Sequence, residues 1–212
     1  MTYLVLPIAG LSSRFGSLTS KPKWALSVGG HTVLERALQS VLLEQPLGIS
    51  KVIFVVHESH LPLLKSLSFQ GRPMSDLGQI VTVNHTPNGQ ALSASKALTA
   101  IPTRKGFFIW NGDTAISPGW AENVTVSENW LLVSRLAGDH WSFVEAENGK
   151  VFRTAEKERI SSLASLGLYR FEHKELFMKA LTEQSDNLGE AFVAPLYNQL
   201  LAKEAVTASE VD

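Results

Sequence analysis

The stretch PIAGLSSRFGSLTSKPKWAL, Pro7 to Leu26, gathers glycines, hydroxyls, an arginine and two lysines directly after the apolar run YLVL. Gly10 and Gly16 permit a backbone that turns its N–H groups outward, and Ser12 and Ser13 add hydroxyl donors. With Arg14, Lys21 and Lys23 these residues make a compact anion receptor suited to a multiply charged phosphate chain. The stretch is not a Walker A loop, which needs GxxxxGK followed by Ser or Thr, and it lacks the GxGxxG spacing of a dinucleotide fold. The competing reading of the same composition is a basic surface loop with no ligand.

Three other clusters carry chemistry. Asp113 follows the apolar residues Phe107 to Trp110 in FFIWNGD, where a carboxylate can hold a hard cation such as Mg²⁺ through oxygen. The alternative is that Asn111 to Thr114 is a tight turn and nothing more. In TPNGQALSAS, Gly89 allows close approach of a flat ligand and the Gln90 amide can pair with the polar edge of a base. Taken alone, that segment reads more simply as a turn opening a helix. Glu156 and Lys157 are adjacent in TAEKER, and there Lys157 can neutralise a phosphate while Glu156 accepts hydrogen bonds from hydroxyls. A solvated charge pair is the commoner origin of such a dipeptide. The six histidines show no HExxH or other zinc spacing, and the five tryptophans are scattered as core residues are.

These clusters need elements to bring them together. The first half alternates apolar runs of strand length with helix-period segments. Strands are expected at Tyr3–Pro7, Lys51–His57, Gln79–Asn84 and from Gly106 toward Asp113. Helices are expected over Thr32–Leu43, Leu61–Leu67 and Gln90–Ile101. That alternation predicts an α/β, doubly wound, mostly parallel sheet, in which ligands bind at the carboxyl ends of the strands. The loops after the first, third and fourth strands then line one edge. The second half is richer in strands, with NWLLVSRLAG, HWSFVEAENGKVFRT and SLASLGLYRF, and Glu147-Asn148-Gly149 marks a hairpin. Helices around Lys174–Leu181 and Glu190–Ala202 are expected to close the chain, and the β-rich part to form an acceptor-side half over the strand edge.

Composition narrows the class. The 212 residues are 44% hydrophobic and 18% charged, as in a packed globular protein and unlike a disordered one. A net charge of −1 gives no bulk reason to expect a nucleic-acid partner. With no cysteine there is no disulfide, thiolate metal site or cysteine nucleophile. No stretch approaches the length of a membrane helix, and the N-terminus lacks the basic flank of a secretory signal. The expectation is a cytoplasmic protein of one domain, 1–212, with no membrane partner and an open oligomeric state.

The segments LVLPIAGLSSRFGSLTSKPKWALSVGGHTVLERAL, FVVHESHL, TPNGQALSASKAL, IWNGDTAI, EKERISSLASLGLYRF and GEAFVAPLYNQLL stand in this order along nearly the whole chain. Together they resemble the bacterial sugar-phosphate nucleotidyltransferases, nucleotide-sugar pyrophosphorylase-like enzymes, and among these the small capsular-polysaccharide members that carry AGLSSRF and KPK. The resemblance implies a Rossmann-like fold of the nucleotide-diphospho-sugar transferase type with a β-rich acceptor-side insertion. A nucleotide-binding half would cover about 1–115 and an acceptor-side half about 116–212.

It also implies Mg²⁺-dependent transfer of an NMP group from an NTP, a pyrimidine nucleotide being favoured, to a phosphorylated acceptor such as a sugar 1-phosphate, in surface polysaccharide biosynthesis. Carried over by position, Ala9, Gly10, Leu11, Ser12, Ser13 and Arg14 would bind the triphosphate. Lys23 would contact the α-phosphate and the acceptor phosphate. Gly89 and Gln90 would read the base, Asp113 would hold the metal, and Glu156 and Lys157 would meet the acceptor. Arg14, Lys23 and Asp113 form the implied catalytic set. The resemblance also implies a second metal-binding side chain near the C-terminal end of the catalytic region, for which the two readings are Asp212 and a residue beyond the end of this sequence. Competing readings are a guanylyl- or cytidylyltransferase for a non-sugar phosphate such as phosphocholine, and a silent nucleotide-binding domain.

Overall fold

The structure, a computed structural model, describes residues 2–10, 21–184 and 189–211. The strands of its main sheet, in chain order, are β1 (Thr2–Pro7), β2 (Ile49–His57), β3 (Gly78–Val83), β4 (Phe107–Trp110) and β5 (Trp130–Arg135), followed by β6 (Ser142–Glu147), β7 (Lys150–Glu156), β8 (Leu163–Phe171) and β9 (Thr207–Glu210). Among the described residues they form one nine-stranded mixed sheet in the order β6-β7-β9-β5-β8-β4-β1-β2-β3. The block β4-β1-β2-β3 is parallel. β8 then runs antiparallel to β4, and β5 antiparallel to β8.

The continuous apolar runs follow from burial on both faces. Along β1, Tyr3 and Val5 join one core with Ile53, Val55, Phe107 and Ile109. Leu4 and Leu6 join the other with Phe54, Val56, Phe108 and Trp110. The second core is covered by α1 (Val33–Leu42), α2 (Leu61–Ser66) and α3 (Met74–Leu77) through Leu34, Leu38, Leu64 and Met74. The first is covered by α4 (Gln90–Ser95), α5 (Lys174–Gln184) and α6 (Tyr197–Leu200) through Ala91, Ala94, Phe177 and Tyr197. Helix α1 starts at a capping box: Thr32 Oγ1 accepts from Glu35 N at 3.1 Å, and Glu35 Oε2 accepts from Thr32 N at 2.6 Å. Such a cap contributes about 1 kcal/mol.

After β1 the chain steps to β2 and β3 on one side, and after β3 it returns by α4 to β4 on the other. The carboxyl ends of β1 and β4 therefore flank the point where strand order reverses, the ordinary place for a ligand crevice.

Three expectations are corrected. The helix expected over Gln90–Ile101 is α4 plus a separate 3-10 turn at Leu98–Ala100, whose carbonyl ends are satisfied by Lys174 Nζ donating to Leu98 O and Ile101 O. The helix expected over Glu190–Ala202 is confined to a 3-10 turn at Ala194–Leu196 and to α6. Ala191 is drawn aside because its N–H donates to Asn88 O and its carbonyl accepts from Ala91 N, and Pro195 has no N–H to continue a helix. Helices do not close the chain either. TASE forms β9, parallel to β5 from Thr207↔Trp130 to Glu210↔Val133. Its polar side chains are satisfied by neighbours, Trp130 Nε1 donating to Ser209 Oγ at 2.9 Å and Ser127 Oγ pairing with Thr207 Oγ1 at 2.7 Å.

Candidate active site

A cleft of about 750 Å³ opens at the carboxyl ends of β1 and β4. At the end of β1, Ile8 N donates to Val55 O at 2.9 Å, and Gly10 lines the cleft. Pro22 and Lys23 lead into the buried Trp24, whose indole N–H donates to Ile8 O at 3.2 Å. This anchor fixes Lys23 beside the end of β1. Beyond β4, Gly112 packs on the Ile8 side chain so closely that a Cβ has no room. That contact lays the Asp113 loop against the same strand end, and the Lys23 ammonium and Asp113 carboxylate meet as an ion pair. Both are partly in water, at 42% and 30% side-chain exposure, so the pair adds little to stability and can exchange for other charges.

The second feature is a chain of amides. Gln90 opens α4, and its Nε2 donates to Asn111 Oδ1. The Asn111 N–H donates to Gly167 O at 3.2 Å, and its side chain fills the space that a Cβ at Gly167 would need. Gly167, at φ +85°, lies where the β8–β5 register shifts between Ser165 and Tyr169. Gly89, at φ +112°, is needed for another reason: a Cβ there would run into the backbone of Ala191.

The far wall is built by the strand-rich half. Ser142, the first residue of β6, hydrogen-bonds the Glu156 carboxylate at the end of β7. Burial raises the Glu156 pKa, against the opposing effects of that bond and of Lys157. The Tyr169 phenol, hydrogen-bonded to the side chains of Ser165 and Ser142, is pushed up to about 12 by complete burial and stays protonated. Trp141, Leu166 and Phe192 complete the wall. Lys157, at φ +55°, lays its ammonium 4.7 Å from the Phe192 ring centroid and 4.0 Å from a Glu156 oxygen.

Of the residues expected from sequence, Gly10, Lys23, Gln90, Asp113 and Glu156 line this one cleft. Ala9 is fully buried in the core, and Gly89 and Lys157 adjoin the cleft residues Gln90 and Glu156 along the chain without lining the cleft themselves. Leu11, Ser12, Ser13, Arg14 and Asp212 lie outside the described residues. Sequence reasoning missed Asn111, Ser142, Ser165, Tyr169, Trp141 and Phe192. Asn111 was legible as part of a turn, but its link to Gln90 spans 21 positions and has no local signal. Among the described residues no group of three His, Asp or Glu side chains is placed to cage a metal ion, and no helix is long and apolar enough to cross a membrane. The arrangement joins a cation–carboxylate pair at one end to a buried, hydroxyl-bearing and aromatic wall at the other, with amides between.

Comparison with known proteins agrees with this architecture. The family described as MobA-like NTP transferase domain matches residues 4–166. No curated protein matches the sequence. Among solved structures, the nucleoside-diphosphate-sugar pyrophosphorylase from Vibrio cholerae RC9 is similar with a TM-score of 0.78 and 27% identity, over 98% of this chain and 91% of that one. The inositol-1-phosphate CTP transferase from T. maritima is similar with a TM-score of 0.75 and 15% identity, over 99% and 84%. A UDP-glucose pyrophosphorylase from Acinetobacter baumannii follows with 0.74 and 18%, over 100% and 86%. The α/β fold expected from sequence is the nucleotide-diphospho-sugar transferase fold of these proteins.

Proposed function

The chain belongs to the MobA-like NTP transferase domain family, and on that premise we propose that it moves an NMP group from an NTP to a phosphorylated acceptor, releasing pyrophosphate. The observation that carries this reading is the single cleft in which Lys23 and Asp113, the Gln90 amide and the Glu156–Ser142 wall face one another. An acceptor phosphate oxygen attacks the α-phosphorus in line. The new P–O bond forms as the bond to the pyrophosphate oxygen breaks, and both electrons of that bond leave with pyrophosphate. A phosphate monoester is already ionised near neutral pH, so no general base is needed. Catalysis rests on positioning and charge neutralisation.

Lys23 neutralises the α-phosphate and the incoming acceptor phosphate, and Arg14 the leaving pyrophosphate. Gln90 hydrogen-bonds the base, with pyrimidines favoured. Asp113 already faces a cation, the Lys23 ammonium. Such a carboxylate would suit Mg²⁺, which keeps waters and shares phosphate oxygens rather than needing an all-protein site. When bound there, Mg²⁺ supplies charge neutralisation for the triphosphate. Glu156 and Lys157 receive the acceptor, a sugar 1-phosphate, and the product feeds surface polysaccharide synthesis in the cytoplasm. A second reading, a phosphocholine-type acceptor, is favoured by the aromatic rings of Trp141, Tyr169 and Phe192 around one carboxylate.

The test is incubation with CTP, UTP, dTTP, GTP or ATP, Mg²⁺ and a panel of sugar 1-phosphates and phosphocholine, following pyrophosphate. Acceptor-dependent release is expected. An NTP that binds without release under any acceptor would leave a silent nucleotide-binding domain instead.

A further inference from the structure

Asn111 has no part in neutralising phosphate, yet it is held firmly within the cleft. Its N–H donates to Gly167 O, its carbonyl accepts from Thr114 N at 3.4 Å, and its side chain fills the gap left by the missing Cβ of Gly167. The side-chain oxygen held in this way takes a hydrogen bond from Gln90 Nε2.

We propose that Asn111 is a specificity-determining positioning residue, clamping the Gln90 amide so that it separates cytosine from uracil and thymine. The inference rests on Gln90 reading the base. A glutamine amide free to turn end over end offers either its oxygen or its nitrogen at a given place, at little cost in energy. Cytosine carries an amino donor at N4 and a bare acceptor at N3. Uracil and thymine carry an acceptor at O4 and a donor at N3. The two patterns are inverted, so a free amide satisfies both by rotating half a turn. Once Nε2 is committed to Asn111, one acceptor and one remaining donor face the cleft in a fixed order, and only one pattern is matched. The mismatched base leaves polar groups unpaired, which is the costly case. The positive-φ Gly167 belongs to this device, since any side chain there would displace Asn111.

The test measures dissociation constants of CTP and UTP, each with Mg²⁺, by calorimetry on the full chain, so that it does not depend on turnover. The wild-type protein is expected to separate the two nucleotides. Asn111→Leu should bring the two affinities closer together, moving their ratio about tenfold toward one, the scale of one such hydrogen bond. Asn111→Asp offers only acceptor oxygens and so keeps Gln90 Nε2 committed. It should retain the wild-type preference while both affinities fall through added negative charge near the triphosphate. Gln90→Leu should erase the ratio, and adding Asn111→Leu should lose nothing more. If Asn111→Leu does not fold, the Asp and Gln90→Leu variants decide the matter. Equal affinities in the wild type, an unchanged ratio in Asn111→Leu or Gln90→Leu, or collapse of the preference in Asn111→Asp would each overturn the proposal. Absence of pyrophosphate release with an intact preference would strike the proposed reaction and leave this inference standing.

Discussion

The two walls of the cleft are built on opposite terms. At the ends of β1 and β4, Lys23 and Asp113 carry full charges, stay partly in water and hold each other. On the strand-rich side, Ser142, Glu156, Ser165 and Tyr169 form a sheltered hydrogen-bonded set in which burial dominates the titration of Glu156 and Tyr169. The exposed pair is cheap to take apart, so its two charges are open to exchange with other charged groups. The buried set is costly to rearrange, so it presents a fixed surface. The walls are tied where Ala191, next to Phe192, pairs with the backbone of Asn88 and Ala91, on either side of Gln90.

The contrast breaks first if the exposed pair proves structural. Lys23→Ala and Asp113→Ala should each lower the rate of pyrophosphate release on the order of 100-fold or more, while denaturant unfolding changes by less than about 1 kcal/mol. A large stability loss with modest rate loss would reverse the assignment. Next comes the tie between the walls. Gly89→Ala forces a Cβ into the Ala191 backbone at a positive φ and should cost about 2–3 kcal/mol in a urea melt. The affinities for nucleotide and acceptor should fall together.

Two substitutions sharpen the buried side. Tyr169→Phe removes the phenol from the Ser165 and Ser142 hydroxyls and should cost about 1 kcal/mol, with little effect on NTP affinity. Glu156→Gln acts through pH. Because the folded-state pKa is raised, the native state holds the Glu156 proton to higher pH than the unfolded chain does. Wild-type stability therefore has a component that is present at low pH and declines as pH rises from the ordinary glutamate range through the raised value. The glutamine variant should lack that decline in thermal melts taken across pH. No difference in slope would place Glu156 among solvent-screened charges instead, and a slope of opposite sign would mean that Ser142 and Lys157, not burial, govern its titration.

The two walls also differ in how far the sequence revealed them. The glycine- and cation-rich loop and the NGD turn directly follow apolar strands, so Lys23 and Asp113 could be assigned to one edge from strand order alone. Tyr169 and Ser165 are ordinary residues of a strand, and Trp141 of a strand approach. Nothing near them in the chain marks them as a wall. Gly89 shows the limit from the other side. Its presence at a helix start was visible, but the structure gives its need as the approach of Ala191, a segment about a hundred positions away.

By itself the sequence determined the parallel half of the sheet and the edge on which its loops gather. Burial on both faces demands unbroken apolar runs, and those runs are local features of the chain. Tertiary structure alone decided that TASE enters the sheet as β9, that Asn111 grips Gln90 over Gly167, and that Ser142 and Tyr169 shelter Glu156. Each of these depends on a polar group finding its partner across the fold, and such partners share no period, spacing or composition that the chain could announce in advance.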